Sequence, residues 1–182
     1  MLMNDLCKIL VSEDEIKEKV QALGATLSKD YAGKNPTLVC ILKGAVVFFS
    51  DLIRTMDIPL TIDFMAVSSY GSGTRSTGEV EIRKDLSKSV DGKHIIIVED
   101  IIDSGRTLHY ISRVLASRGA ASVSICTLLD KPDRRDPDVD IHVDHSCFII
   151  PDEFVVGYGL DFDERYRHLP MIGVLKPEIY KG

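Results

Sequence analysis

Apolar residues recur along this chain with two different periods. In "SEDEIKEKVQALGATLSKDY", Ile16, Val20, Leu23 and Leu27 fall three or four apart, which predicts an amphipathic helix. Ser12 and Glu15 stand at capping-box spacing at its start. "AVVFFSDLIRTM" (45–56) keeps helical spacing but is strongly apolar, so it predicts a buried helix. "TLHYISRVLASRG" (107–119) predicts a third helix, closed by Gly119. "TLVCIL" (37–42), "HIIIVEDII" (94–102) and "SVSICTLL" (122–129) are apolar runs instead, the mark of strands buried on both faces. "LTIDFMAVSS" (60–69) is β-rich, and "EVEIRKDL" (79–86) alternates like an exposed hairpin strand. The loop between those two, "YGSGTRSTG" (70–78), is dense in Gly, Ser and Thr. "DKPDRRDPDVD" (130–140) is a polar loop, followed by "SCFIIP", "FVVGYGLDF" and "MIGVLK". Strands alternating with helices predict an α/β fold: a mainly parallel twisted sheet flanked by helices, with a hairpin at one side.

At 182 residues and 45% hydrophobic, the chain fits one domain with an ample core. It shows neither an internal repeat nor a low-complexity segment. A net charge of −6 gives it no general attraction for nucleic acid or anionic membrane. No window approaches the roughly 18 apolar residues of a membrane span. "MLMNDLCKILVSEDE" lacks a basic n-region, so a cytoplasmic location is expected. Cys7, Cys40, Cys126 and Cys147 are widely spaced and three sit in apolar runs. They read as reduced cysteines, chiefly of the core, and no CxxC pair suggests zinc or redox chemistry.

The charge pattern changes the picture at "IIIVEDIIDSGRTL" (95–108), where a buried strand runs straight into Glu99, Asp100 and then Asp103. Parallel sheets place ligands outside the carboxyl ends of their strands. A helix starting near residue 107 turns its free N–H groups to that edge, and Gly105 lets a ligand approach the backbone. Ser104 and Thr107 add hydroxyl donors, completing a phosphate cradle. The acids repel phosphate, so they need sugar hydroxyls or a divalent cation to hold. The plainer reading makes Asp103 a helix N-cap. It leaves Glu99 and Asp100 unexplained at a strand end, where desolvation is costly. The generic nucleotide, zinc-hydrolase and nucleophile-elbow motifs are absent, which argues against kinases, dehydrogenases and α/β-hydrolases.

Residues 95–108 resemble the phosphoribosyl-pyrophosphate (PRPP) motif of type I phosphoribosyltransferases. "LKGAVVFFSDL", "SSYGSGTRSTGEV", "LLDKP" and "FVVGYGLDFDERYR" narrow the resemblance to the hypoxanthine(-guanine) phosphoribosyltransferase branch, over roughly residues 9 to 180. It implies a single domain over 1–182, with a flexible hairpin lid headed by Ser69 and Tyr70 and a small hood built from the chain termini. The implied reaction transfers phosphoribose from PRPP to N9 of a 6-oxopurine. Asp103 would be the general acid/base at N7. Glu99 and Asp100 would hold the ribose hydroxyls, directly or through Mg2+, with Asp161 as a further Mg2+ ligand. Ser104, Gly105, Arg106 and Thr107 would bind the 5'-phosphate, chiefly through backbone N–H groups and Thr107. Lys43 and Gly44, in a loop that usually carries a non-proline cis peptide, would bind pyrophosphate with Arg167. Lys131 would donate to the 6-oxo group, Phe154 would stack on the base, and Val155 would pair with its edge through backbone.

Taken without the resemblance, several of these positions have bland readings. Lys131 is one loop charge among several, Phe154 a core strand residue, and Asp161 a turn acid. The family further implies a homodimer or homotetramer, with the 45–56 helix as a possible interface. Two alternatives stand beside the salvage enzyme: a phosphoribosyltransferase for another base, and a sensor that binds PRPP or a nucleotide without turnover.

Overall fold

Ser12 closes the capping box that its spacing predicted: its backbone N–H donates to Glu15 Oε2 at 2.8 Å, and its hydroxyl accepts from the Glu15 N–H. The computed structural model describes residues 2–69 and 80–181. Its elements run β1 (Leu6–Val11), α1 (Glu13–Asp30), β2 (Thr37–Leu42), α2 (Val46–Thr55), β3 (Thr61–Ser69) and β4 (Val80–Lys84). Then come β5 (His94–Ile102), α3 (Arg106–Ser117), β6 (Ser122–Asp130), β7 (His145–Ile149), β8 (Val155–Val156), β9 (Ile172–Leu175) and α4 (Pro177–Tyr180). Ser69 ends β3; Tyr70 and the rest of the expected lid lie outside the described residues.

β4-β3-β2-β5-β6-β7 form one sheet, parallel throughout except for the antiparallel β3–β4 hairpin. The period-two alternation of β5 decides which helix covers which face. Ile96 and Val98 join Leu27 of α1 and Phe48 and Leu52 of α2 in one core cluster. Ile95 and Ile97 join Leu108, Ile111 and Leu115 of α3 in the other. The chain leaves β2 toward β3 on one side and leaves β5 toward β6 on the other. Their two following loops therefore diverge and open a crevice at the carboxyl edge of the sheet.

A second, antiparallel sheet of order β1-β9-β8 forms a hood from the two ends of the chain. β1 has no counterpart among the predicted strands. Two register shifts against β9 break its alternation, and Cys7, Lys8 and Ile9 are left outward. "FVVGYGLDF" forms strand only at Val155–Val156. Gly157 and Gly159 then turn at φ 100° and 105°, where a side chain would collide with the Met171 and Gly44 carbonyls. Leu6, Val156, Leu169 and Leu175 bury the fully enclosed Tyr166, whose hydroxyl donates to Asp5 at 2.8 Å. All four cysteines are free; Cys40, Cys126 and Cys147 are buried, and Cys7 is exposed. Burial pushes the Cys40 and Cys147 thiols up to about 12. No described helix is long and apolar enough to cross a membrane.

Ile97 is fully buried in the middle of the sheet. Ile97→Ala is expected to lower stability by about 2–5 kcal/mol, read from denaturant unfolding.

Candidate active site

β5 is buried through Val98 and then delivers Glu99 and Asp100, both half-buried, to the crevice. The Asp100 N–H donates to Glu99 Oε1 at 3.1 Å, and the Ile101 N–H to Asp100 Oδ1 at 2.7 Å. Burial pushes the Glu99 carboxyl well above its ordinary range, and the adjacent Asp100 charge pushes it further. Asp100 is also raised by burial, against its hydrogen bonds and the pull of Arg167. Gly44 is required beside this pair: a Cβ there would lie 1.7 Å from Asp100 Oδ2.

Beyond β5 the loop 103–105 lines a cavity of about 200 Å³ together with Glu99, Asp100 and Thr107. Gly105, at φ 83°, occupies the N-cap of α3, and no side chain caps it. Asp103 is therefore not the helix cap, which removes its plainer reading. The Arg106 side chain does not line this cavity; its guanidinium pairs with Asp136. Only its backbone is left to the cradle.

A larger cavity, about 660 Å³, adjoins the first and is lined by Asp103, Lys131, Phe154, Val155, Asp161 and Tyr180. Lys131 is 7% exposed, so it is not a solvated loop charge. Its Nζ donates to the Glu153 carbonyl at 2.7 Å and lies 3.9 Å from Asp103 Oδ1. Phe154 is 37% exposed, with one ring face stacked on Tyr180 at 4.6 Å and Phe162 set against it edge-on at 5.7 Å.

The Leu42–Lys43 peptide is cis. Lys43 Nζ meets Glu164 Oε2 at 3.0 Å, and Arg167 meets Asp161 at 2.9 Å and Glu164 at 3.3 Å. Glu99, Asp100 and Asp161 do not gather into a ready-made cage. Among the described residues, no group of three or more His, Cys, Asp or Glu side chains could hold a metal ion. Asp161 sits on the hood loop, held by Arg167 and by the Glu164 N–H, while the other two belong to β5.

The family model of the phosphoribosyl transferase domain matches residues 10–163. The chain belongs to this family. A hypoxanthine-guanine phosphoribosyltransferase of Streptococcus thermophilus (strain CNRZ 1066) is 54% identical over 180 residues, 99% of either chain. The bifunctional protein TilS/HprT of Listeria monocytogenes serotype 4b (strain F2365) is 55% identical over 177 residues, 97% of this chain. The chain spans only 27% of that relative's length. The crystal structure of a hypoxanthine phosphoribosyltransferase from Staphylococcus aureus superimposes with a TM-score of 0.95 at 52% identity, covering 100% of this chain and 97% of that one.

In this phosphoribosyl transferase domain the cradle is strapped from outside by residues that no motif singled out. Arg135 donates to the Asp103 carbonyl at 2.9 Å and to Asp130 Oδ1 at 2.5 Å. The Asp136 N–H donates to the Ser104 carbonyl at 3.1 Å. Arg135 thereby ties the end of β6, which carries Lys131, to the loop that carries Asp103. In sequence it is one of six charges in "DKPDRRD", and nothing local marks it.

Arg135→Ala would leave Asp130, 15% exposed, without that partner. The expected cost is about 1–3 kcal/mol, read from unfolding. Glu99 gives a prediction of opposite sign. Unfolded, its carboxyl ionises near 4.5; folded, it keeps its proton to higher pH. Stability is therefore lost as pH rises above 4.5 toward the folded value. Glu99→Gln should raise Tm at neutral pH and flatten the fall of Tm with pH, while weakening ligand binding.

Proposed function

We propose that the chain, acting as one domain, transfers the 5-phosphoribosyl group from PRPP to N9 of hypoxanthine, and of guanine, releasing pyrophosphate. The observation that carries this reading is a buried lysine and a carboxylate 3.9 Å apart, in one cavity with the partly exposed ring of Phe154, next to the cavity at the N-terminus of α3. O6 and N7 of a 6-oxopurine lie on one edge of the base. Lys131 would donate to O6 and Asp103 would face N7, with the ring lying on Phe154 and the backbone at Val155 meeting the far edge. Adenine offers an amino donor at position 6, which a lysine ammonium does not accept.

Ser104, Gly105, Thr107 and the Arg106 backbone would hold the 5'-phosphate at the N-terminus of α3, where backbone N–H groups and the helix dipole favour an anion. Glu99 and Asp100 would hold the ribose hydroxyls. Lys43, the Gly44 backbone and Arg167 would take the pyrophosphate. The N9 lone pair forms the new bond to ribose C1, the bond from C1 to pyrophosphate breaks, and Asp103 takes the proton from N7. Positive charge developing on the sugar is matched by the two strand-end carboxylates.

The donor set suits Mg2+, which prefers hard oxygen ligands and is usually carried on one or two carboxylates plus substrate phosphates. Asp161, Asp100 and Glu99 would hold it jointly with PRPP; Asp161 stands on the hood loop, and burial opposes the charge on the other two, which a cation would relieve. When bound, it neutralises and orients the leaving pyrophosphate. The same reading makes the protein a cytoplasmic homodimer or homotetramer. α2 buries Phe48, Phe49 and Leu52 in the core and leaves Val46, 41% exposed, for a neighbour.

Purified protein with Mg2+, PRPP and hypoxanthine should give inosine monophosphate by absorbance, with guanine active, adenine inactive, and chelation of Mg2+ stopping turnover. Asp103→Asn is expected to lower kcat by about 10²–10⁴-fold with PRPP binding retained. Product from adenine, or unchanged kcat in the variant, would sink the assignment.

A further inference from the structure

Lys43 and Arg167 come from different loops, yet both already hold one anion. Glu164 spans them, with Oε2 at 3.0 Å from Lys43 Nζ and Oε1 at 3.3 Å from Arg167. A carboxylate bridging two cations through its two oxygens is the arrangement that two phosphoryl oxygens of a pyrophosphate would adopt. We propose that Glu164 is a tethered stand-in for pyrophosphate, a side chain that sets the affinity of the seat by competing for it. This rests on the reading of Lys43 and Arg167 as that seat.

The backbone aims Glu164 at this position. Asp163, Glu164 and Tyr166 have φ of 52°, 58° and 78°, in the left-handed region that residues with side chains avoid. Such conformations persist only where the surroundings impose them, and they gather at functional sites. Two fixtures impose them here. The Glu164 N–H donates to Asp161 Oδ2 at 2.9 Å, and Tyr166 is fully buried with its hydroxyl on Asp5.

The contact is also built to yield. Lys43 and Glu164 are about two-thirds exposed, at 68% and 66%, and exposed ion pairs are weak. Arg167 keeps its place without Glu164, because it also holds Asp161 at 2.9 Å and the Gly159 carbonyl at 2.8 Å. The two cations are thus kept neutralised and in place until PRPP arrives. After transfer, the same carboxylate is at hand to replace the departing pyrophosphate.

The test is calorimetric titration of Glu164→Gln with Mg2+ and pyrophosphate, beside steady-state kinetics. The expected result is a Kd for pyrophosphate and a KM for PRPP each lowered about two- to fivefold, with KM for hypoxanthine unchanged. Unchanged or weaker pyrophosphate binding would overturn the proposal, since Glu164 would then be inert or would help to hold the anion. Lys43→Ala is the control for the reading beneath it. It should weaken pyrophosphate binding and shrink the effect of Glu164→Gln in the double variant. No loss of pyrophosphate binding in Lys43→Ala would mean that the seat lies elsewhere.

Discussion

Two carboxylates held side by side against burial, Glu99 and Asp100, are the constraint around which the rest of the structure is arranged. A strand that ended in apolar residues would cost nothing at this edge, whereas this one ends in charge that burial opposes. Asp100 leaves no room for a Cβ at residue 44, so the loop after β2 must cross it as glycine. The Gly44 carbonyl in turn admits only glycine at 159, which brings in the hood loop and with it Arg167. A line of close approaches thus runs from the sheet edge to the cation that faces the acids.

The remaining groups reach the crevice from separate parts of the chain. Lys131 rises from the end of β6, Phe154 from the hood, and Asp103 from the loop after β5. Arg135 makes the first and third of these one unit, since it holds Asp130 and the Asp103 carbonyl at once. Lys131 and the loop that carries Asp103 are therefore mechanically joined, by a bond that spans 32 positions of the chain.

What could be read from the sequence was what local chemistry writes into it. The strand 94–102 has the limits observed because both of its faces are buried and its neighbours are polar. Helix spacing, the capping box and the cluster of acids before Gly105 were legible for the same reason. The hood was readable only in part: "FVV" reads as strand and Val155–Val156 form one, whereas β1 is irregular and carries no period. Arg135, Glu164 and Tyr180 matter through partners far away in sequence, and a single charge or ring among others of its kind shows no pattern. Arg106 illustrates the converse. It lies inside the motif, yet Asp136, 30 residues on, draws its side chain away from the cradle.

The hood joins the two ends of the chain, and this has a bearing on how the protein is made. Asp5 and its partner Tyr166 are 161 residues apart, and all of the six-stranded sheet lies between them. At the usual 5–20 residues per second, β1 waits on the order of ten seconds or more after its synthesis before β9 exists to pair with it. The sheet and the loop at the start of α3 can close meanwhile, but the wall bearing Phe154 and the loop bearing Asp161 and Arg167 cannot. A nascent chain therefore acquires the loop at the start of α3 well before the hood exists to wall the cavity beside it, and that cavity is complete only with the last strand.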